Sequence, residues 1–116
     1  TATTESIGTA NTALDAARLD AAADDSILLV TVTGTENPGN GWGIGALCYN
    51  VEGWPNMKGG FDVNTPDGTS LEFTVSYSIG AIKAARAASE HTDAGVVVNA
   101  WSSFSVKDIS IMSFTF

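Results

Sequence analysis

The side chains best equipped for chemistry in this chain are aromatic rings and amides, and many of them crowd into one stretch. Residues 37–58, NPGNGWGIGALCYNVEGWPNMK, hold Trp42 and Trp54, the single cysteine Cys48, Tyr49, Asn56 and Lys58. The third tryptophan, Trp101, ends the run GVVVNAW, with Asn99 just before it and Ser102 and Ser103 just after. An indole is a flat apolar slab with a polar N–H edge. The faces of a glucose-type pyranose are patches of C–H, and its rim is hydroxyl. Exposed indoles on a rigid scaffold therefore make a stacking platform for neutral sugars, and nearby amides, hydroxyls and ammonium groups meet the rim. The expected binding set is Trp42, Trp54 and Trp101 as the platform, with Tyr49, Asn56, Lys58, Asn99, Ser102 and Ser103 around it.

Other chemistries find less support. The one histidine, His91, stands in the polar run EHTDAG and reads as a surface residue. No GxSxG elbow accompanies it, so a serine triad is not indicated. Cys48 falls in the middle of an apolar strand-like run, where it reads as a small buried hydrophobe rather than as a nucleophile. Asp62 and Glu72 are a pair that a glycosidase reading would use. A chain this small, however, is short of material for both a core and a deep cleft. GNGWGIG lacks the lysine and following helix of a phosphate loop. No Cys or His spacing suits zinc. Asp62, Asn64 and Asp67 could offer oxygens to calcium, but DVNTPDG reads first as a turn. The expectation is a binding domain with no catalytic residues, no metal and no cofactor.

Composition agrees with binding a neutral partner. Thirteen acids against five Lys and Arg give a formal charge of −8 over 116 residues. That disfavours nucleic acid and anionic membranes, which need a basic footprint, whereas an uncharged ligand suits an acidic protein. A length of 116 residues is one domain's worth, and 44% hydrophobic against 16% charged residues marks it as globular. One cysteine allows no internal disulfide. No run of about 20 apolar residues is available to span a membrane.

Residues 1–11 read as a linker end or an edge strand, and 12–116 as a single module, cut from a longer protein. Ala13 to Asp25 is Ala-rich but short and crowded with aspartates at its end, so it predicts one or two helical turns, after a strand near Thr12 to Asp15. SILLVTVTG from Ser26 is the clearest strand, apolar on both sides in its first half. A second strand runs from Trp42 to Val51 and a short one over Gly59 to Val63. Thr65-Pro66-Asp67-Gly68 is a turn, and SLEFTVSY from Ser70 alternates as a half-buried strand. Ser78 caps a short helix on which Ile79, Ile82 and Arg86 share one face. GVVVNAW is a strand with Val96, Val98 and Ala100 inward and Val97, Asn99 and Trp101 outward, because the other register would bury Asn99 without a partner. Val106 to Phe116 is the last strand. About seven or eight short strands separated by turns predict an all-β fold, two antiparallel sheets packed as a jelly-roll-like sandwich, with one or two short helices.

The framework TALDAARLDAAADDSILLVTVTG, then NGWGIGALCYN, SYSIGAIKAAR and GVVVNAWSSFSVKDISI, resembles the small β-sandwich carbohydrate-binding modules of cellulosomal plant-cell-wall hydrolases. The similarity runs from about Thr12 to the end, and its motifs are loose. It implies a secreted, extracellular, non-catalytic module, monomeric within a larger multimodular enzyme and targeting that enzyme to β-glucan: cellulose, xyloglucan, mixed-linkage glucan or glucomannan. On this resemblance Trp101 matches the strand-end aromatic, Trp42 an aromatic at a Gly-rich strand start, and Trp54 a variable loop. The alternative is a protein-interaction, scaffold or adhesion module whose exposed aromatics dock another protein.

Overall fold

The computed structural model describes residues 1–9, 13–37 and 43–115. The protein is an all-β sandwich of two antiparallel four-stranded sheets with two short helices. The elements are β1 (Ala2–Gly8), β2 (Ala13–Leu14), α1 (Ala16–Ala21), β3 (Ile27–Gly34), β4 (Gly45–Tyr49), β5 (Asp62–Val63), β6 (Glu72–Ser78), α2 (Ile79–Ala87), β7 (Val96–Ala100) and β8 (Phe104–Phe114). One sheet, sheet A, has the order β1-β8-β3-β6, and the other, sheet B, the order β2-β7-β4-β5. Among these strands only β4 and β5 follow each other within one sheet; every other connection crosses the sandwich. This is the jelly-roll connectivity of eight strands.

Alternation builds the core. On β3, Leu28, Val30 and Val32 are buried while their neighbours are half-exposed, so the first half of this strand is less buried on its second face than its composition suggests. β8 sends Val106, Ile109 and Ile111 inward. Val106 and Ile109 share a face at odd spacing because the register slips by one residue at Lys107, a bulge opposite Thr31 and Val32. Sheet B answers with Leu14, Leu47, Tyr49, Val63, Val96 and Val98. Burial of side chains this size contributes roughly 1.5–3 kcal/mol each against exposure, so the two inner faces together hold the sheets in register.

The helices close one end. Asp15 caps α1, its carboxylate accepting from Arg18 N at 2.8 Å, and Ser78 caps α2, its hydroxyl accepting from Ala81 N at 3.2 Å. Ile79, Ile82 and Arg86 form the buried stripe of α2 at helical spacing. Gly80 is required where α2 crosses the preceding segment, since a Cβ there would stand 2.8 Å from Asp24 O. Two cations stitch the helical ends together. Lys83 Nζ donates to Ala22 O at 2.5 Å and reaches the Asp24 carboxylate at 2.9 Å. Arg86, 8% exposed, donates to Ala94 O at 3.1 Å and to the Asp20 carboxylate.

Strand β4 is shorter than the run Trp42 to Val51. Its start is set by Gly43, whose backbone at φ 83° leaves the extended region and whose missing Cβ makes room for the Asn64 side chain. Its end is set by a tight turn in which Val51 N donates to Tyr49 O. Beyond the turn, residues 55–57 run back beside β4, with Tyr49 N donating to Pro55 O at 2.9 Å and Met57 N to Leu47 O at 2.8 Å. Sheet B thus gains a fringe strand at the end of β4 that β5 does not reach.

Candidate functional site

The candidate site is the outer face of sheet B, and the register of its strands determines what it displays. Ala46 pairs with Asn99 on one side and Asp62 on the other, and Cys48 pairs with Val97 and, through the fringe, with Asn56. Directly opposed residues on neighbouring strands point to the same face. Two rows result: Asn99, Ala46 and Asp62, then Val97, Cys48 and Asn56. Trp101 follows at the end of β7, with its backbone N–H donating to Ile44 O at 2.7 Å.

The middle of this face is dry. Ala46, Cys48 and Val97 are 0%, 1% and 6% exposed, and they form a second apolar cluster, separate from the inter-sheet core, against which Trp101 packs. The indole lies half-buried, its Nε1–H donating to Gly43 O at 3.1 Å, which pins its edge and leaves part of the ring in water. Asn99 Nδ2 donates to Cys48 Sγ at 3.5 Å, and the thiol donates to Asn56 Oδ1 at 3.3 Å. Burial pushes the Cys48 thiol up, the Asn99 contact opposing it. The buried thiol thus links the two rows through the amides of Asn99 and Asn56. The face is therefore a floor of small side chains edged by Trp101, Asn99, Asn56 and Asp62.

The expected binding residues fall into groups. Asn99 and Trp101 lie together with the parity expected of GVVVNAW. Trp42 lies outside the described residues. Trp54 sits in the turn beyond β4, 57% exposed with φ at 42°. Between the Ile44–Trp101 end of the sheet and the Tyr49–Val96 end lie five residue steps, or about 17 Å at roughly 3.3 Å per residue. Trp54 and Trp101 therefore stand at opposite ends of sheet B and do not make one continuous row of rings. Tyr49 differs from expectation. It is 6% exposed, its ring belongs to the inter-sheet core, and its hydroxyl donates to Ala85 O at 3.4 Å. Its parity follows from Cys48: if residue 48 faces out, residue 49 faces in. Asn56 and Lys58 are exposed and flank the inward Met57. Ser102 is exposed at φ 62° in the turn before β8, and the Ser103 hydroxyl donates to Glu36 O at 2.8 Å, tying down the end of β3.

Asp62 is the surface residue that the sequence reading did not assign to this face, and its weak signal was the alternation GFDV. Its position in sheet B separates it from Glu72 in sheet A, which pairs with Lys107. The Asp67 side chain closes a turn instead of reaching outward, accepting from Thr69 N at 2.9 Å and from Ser70 N and Ser70 Oγ at 2.8 Å. Those bonds hold its carboxyl down at about 2. Among the described residues no three His, Cys, Asp or Glu side chains are grouped to hold a metal ion.

A groove of about 530 Å³ opens beside the fringe, between residues 55–58 and the last turn of α2. The rings of Tyr49 and His91 meet there with centroids 4.8 Å apart. Neither a family model, nor a curated protein, nor a solved structure matches the chain.

Proposed function

We propose that this domain is a non-catalytic module that binds neutral β-glucan on the outer face of sheet B and brings an attached hydrolase to plant cell walls. The observation that carries this reading is Trp101. Its ring lies on an outer sheet face, with its edge pinned by Gly43 O and with Asn99 beside it. An apolar ring whose orientation is fixed before the ligand arrives loses little freedom on binding. A pyranose lying on it meets Asn99 as donor and Asp62 as acceptor along the adjoining row. Beneath the ring Ala46, Cys48 and Val97, themselves buried, form the apolar bed that holds the indole in place. A shallow face of this kind desolvates only part of a flexible chain, so the affinity is modest, and tethering supplies the rest through effective concentration.

Affinity electrophoresis in gels with and without soluble β-glucan tests the reading. Retardation of the wild type that disappears in a folded Trp101→Ala variant is the expected result. Equal migration of the wild type in both gels would favour a protein-docking role for the same face.

A further inference from the structure

The chain has five Lys and Arg side chains, and four of them face an acid. Arg18 lies 3.7 Å from Glu5, Lys83 lies 2.9 Å from Asp24, Arg86 meets Asp20 and Lys107 meets Glu72. Lys58 is the exception among the described residues, with no hydrogen-bond or ion-pair partner, and it lines the groove beside α2. In a chain with thirteen acids, a cation left uncompensated in a concave site is set to receive charge from outside. Asn56 stands two residues away on the same side of the fringe. Its Oδ1 is taken by the Cys48 thiol, which turns the two Nδ2 hydrogens away as donors. One lip of the groove thus offers an ammonium and an amide N–H.

The other lip is of opposite character. Glu90 lines it, with its carboxylate 3.5 Å from His91 Nε2. The C-terminal end of α2 also faces it, and a helix C-terminus carries partial negative charge. These acceptors suit hydroxyls and repel a second anionic group. Between the lips lie the His91 ring, tilted 43° against Tyr49, and the Pro55 ring.

A ligand complementary to this arrangement is a flat six-membered ring with one carboxylate at one end and hydroxyls at the other. We propose that the groove is a second glycan site that takes a single uronate unit, its carboxylate on Lys58 and Asn56, its hydroxyls on Glu90 and its ring against His91 and Pro55. The site stands apart from Trp101, at the far end of sheet B, and rests on the proposed glycan-binding function only for the class of its ligand. A chain presenting both a neutral backbone and an acidic branch would engage both ends of the sheet.

Titration of the ¹⁵N-labelled protein with methyl β-glucuronide, its methyl ester, methyl β-glucoside and acetate tests the assignment. The glucuronide is expected to shift the amides of Asn56, Lys58 and His91 and to bind at least about tenfold more tightly than the ester or the glucoside, the scale of one charge-assisted contact. Raising salt from 20 to 200 mM should weaken it, since the contact is exposed. Lys58→Gln should reduce glucuronide binding to the level of the ester, and His91→Ala should weaken all the sugars alike. Equal binding of glucuronide and glucoside, or an unchanged Lys58→Gln, would overturn the carboxylate assignment. Acetate binding as tightly as glucuronide would overturn the sugar assignment. The β-glucan gel separates the two proposals: glucuronide binding without β-glucan retardation keeps the groove and discards the Trp101 face, and the converse discards the groove.

Discussion

Replacing Trp101 by alanine probes two properties of the ring at once. Truncating a fully buried Trp costs about 3–5 kcal/mol, and Trp101 is half-buried against Ala46, Cys48 and Val97, which brings the packing loss to roughly 2 kcal/mol. Its Nε1–H bond to Gly43 O adds about 0.5–1.5 kcal/mol. The expected total is about 2.5–3.5 kcal/mol. A domain of this length holds roughly 6–17 kcal/mol, so the variant stays folded at room temperature while its Tm falls by about 3–5 °C for each kcal/mol lost. Trp101→Phe keeps a ring on the floor and loses the N–H, so it should cost nearer 1 kcal/mol and retain part of the binding. Urea unfolding of the three proteins, alongside gel retardation by soluble β-glucan, gives both readouts. If Trp101→Ala were as stable as the wild type, the ring would not be packed as described. If the folded variant bound β-glucan normally, the ring would not be the contact.

Three further perturbations test the scaffold. A Cβ on Gly45 would stand 2.5 Å from Asn99 O, so Gly45→Ala should force β4 and β7 apart, cost about 1–3 kcal/mol by urea unfolding, and displace Asn99 and Trp101 enough to weaken glycan binding. The Asp67 carboxyl is depressed to about 2 from 3.8 by its bonds to Thr69 and Ser70. A depressed carboxyl adds stability that is fully present above the unfolded value and is lost as pH falls toward the folded one. Thermal unfolding should therefore show a loss between about pH 4 and pH 2 that Asp67→Asn makes smaller. Arg86 is almost fully buried while the Asp20 side chain is 60% exposed. Asp20→Ala, which strands the guanidinium with only Ala94 O, should therefore destabilise by about 2 kcal/mol, and more than Arg86→Met does.

Much of this architecture can be read from local pattern. Alternation in SLEFTVSY and GVVVNAW and the Ser78 cap before Ile79, Ile82 and Arg86 specify elements whose burial depends on period alone, and they fold where the periods put them. The parity of Asn99 was legible for the same reason, because one register leaves its amide unpaired. Three features were not. The burial of Cys48 was expected, but not where it lies: Cys48 and Val97 point away from the inter-sheet core and are covered by Trp101 packing back over them, a long-range contact with no local signature. Tyr49 reads as a displayed aromatic beside Asn50, yet its place one residue after Cys48 turns it into the sandwich. The isolation of Lys58 depends on where the thirteen acids end up in space, and no spacing along the chain encodes that.

In the proposed function the outer face of sheet B, centred on Trp101, receives the glycan. An ¹⁵N–¹H titration with a neutral β-glucan oligosaccharide tests it most directly. The Trp101 indole Nε1–H and the Asn99 side-chain amide should move together with the backbone amides of Ala46 and Val97, while the outer face of sheet A stays still. Shifts centred on sheet A, or none on the Trp101 indole at saturating ligand, would contradict it.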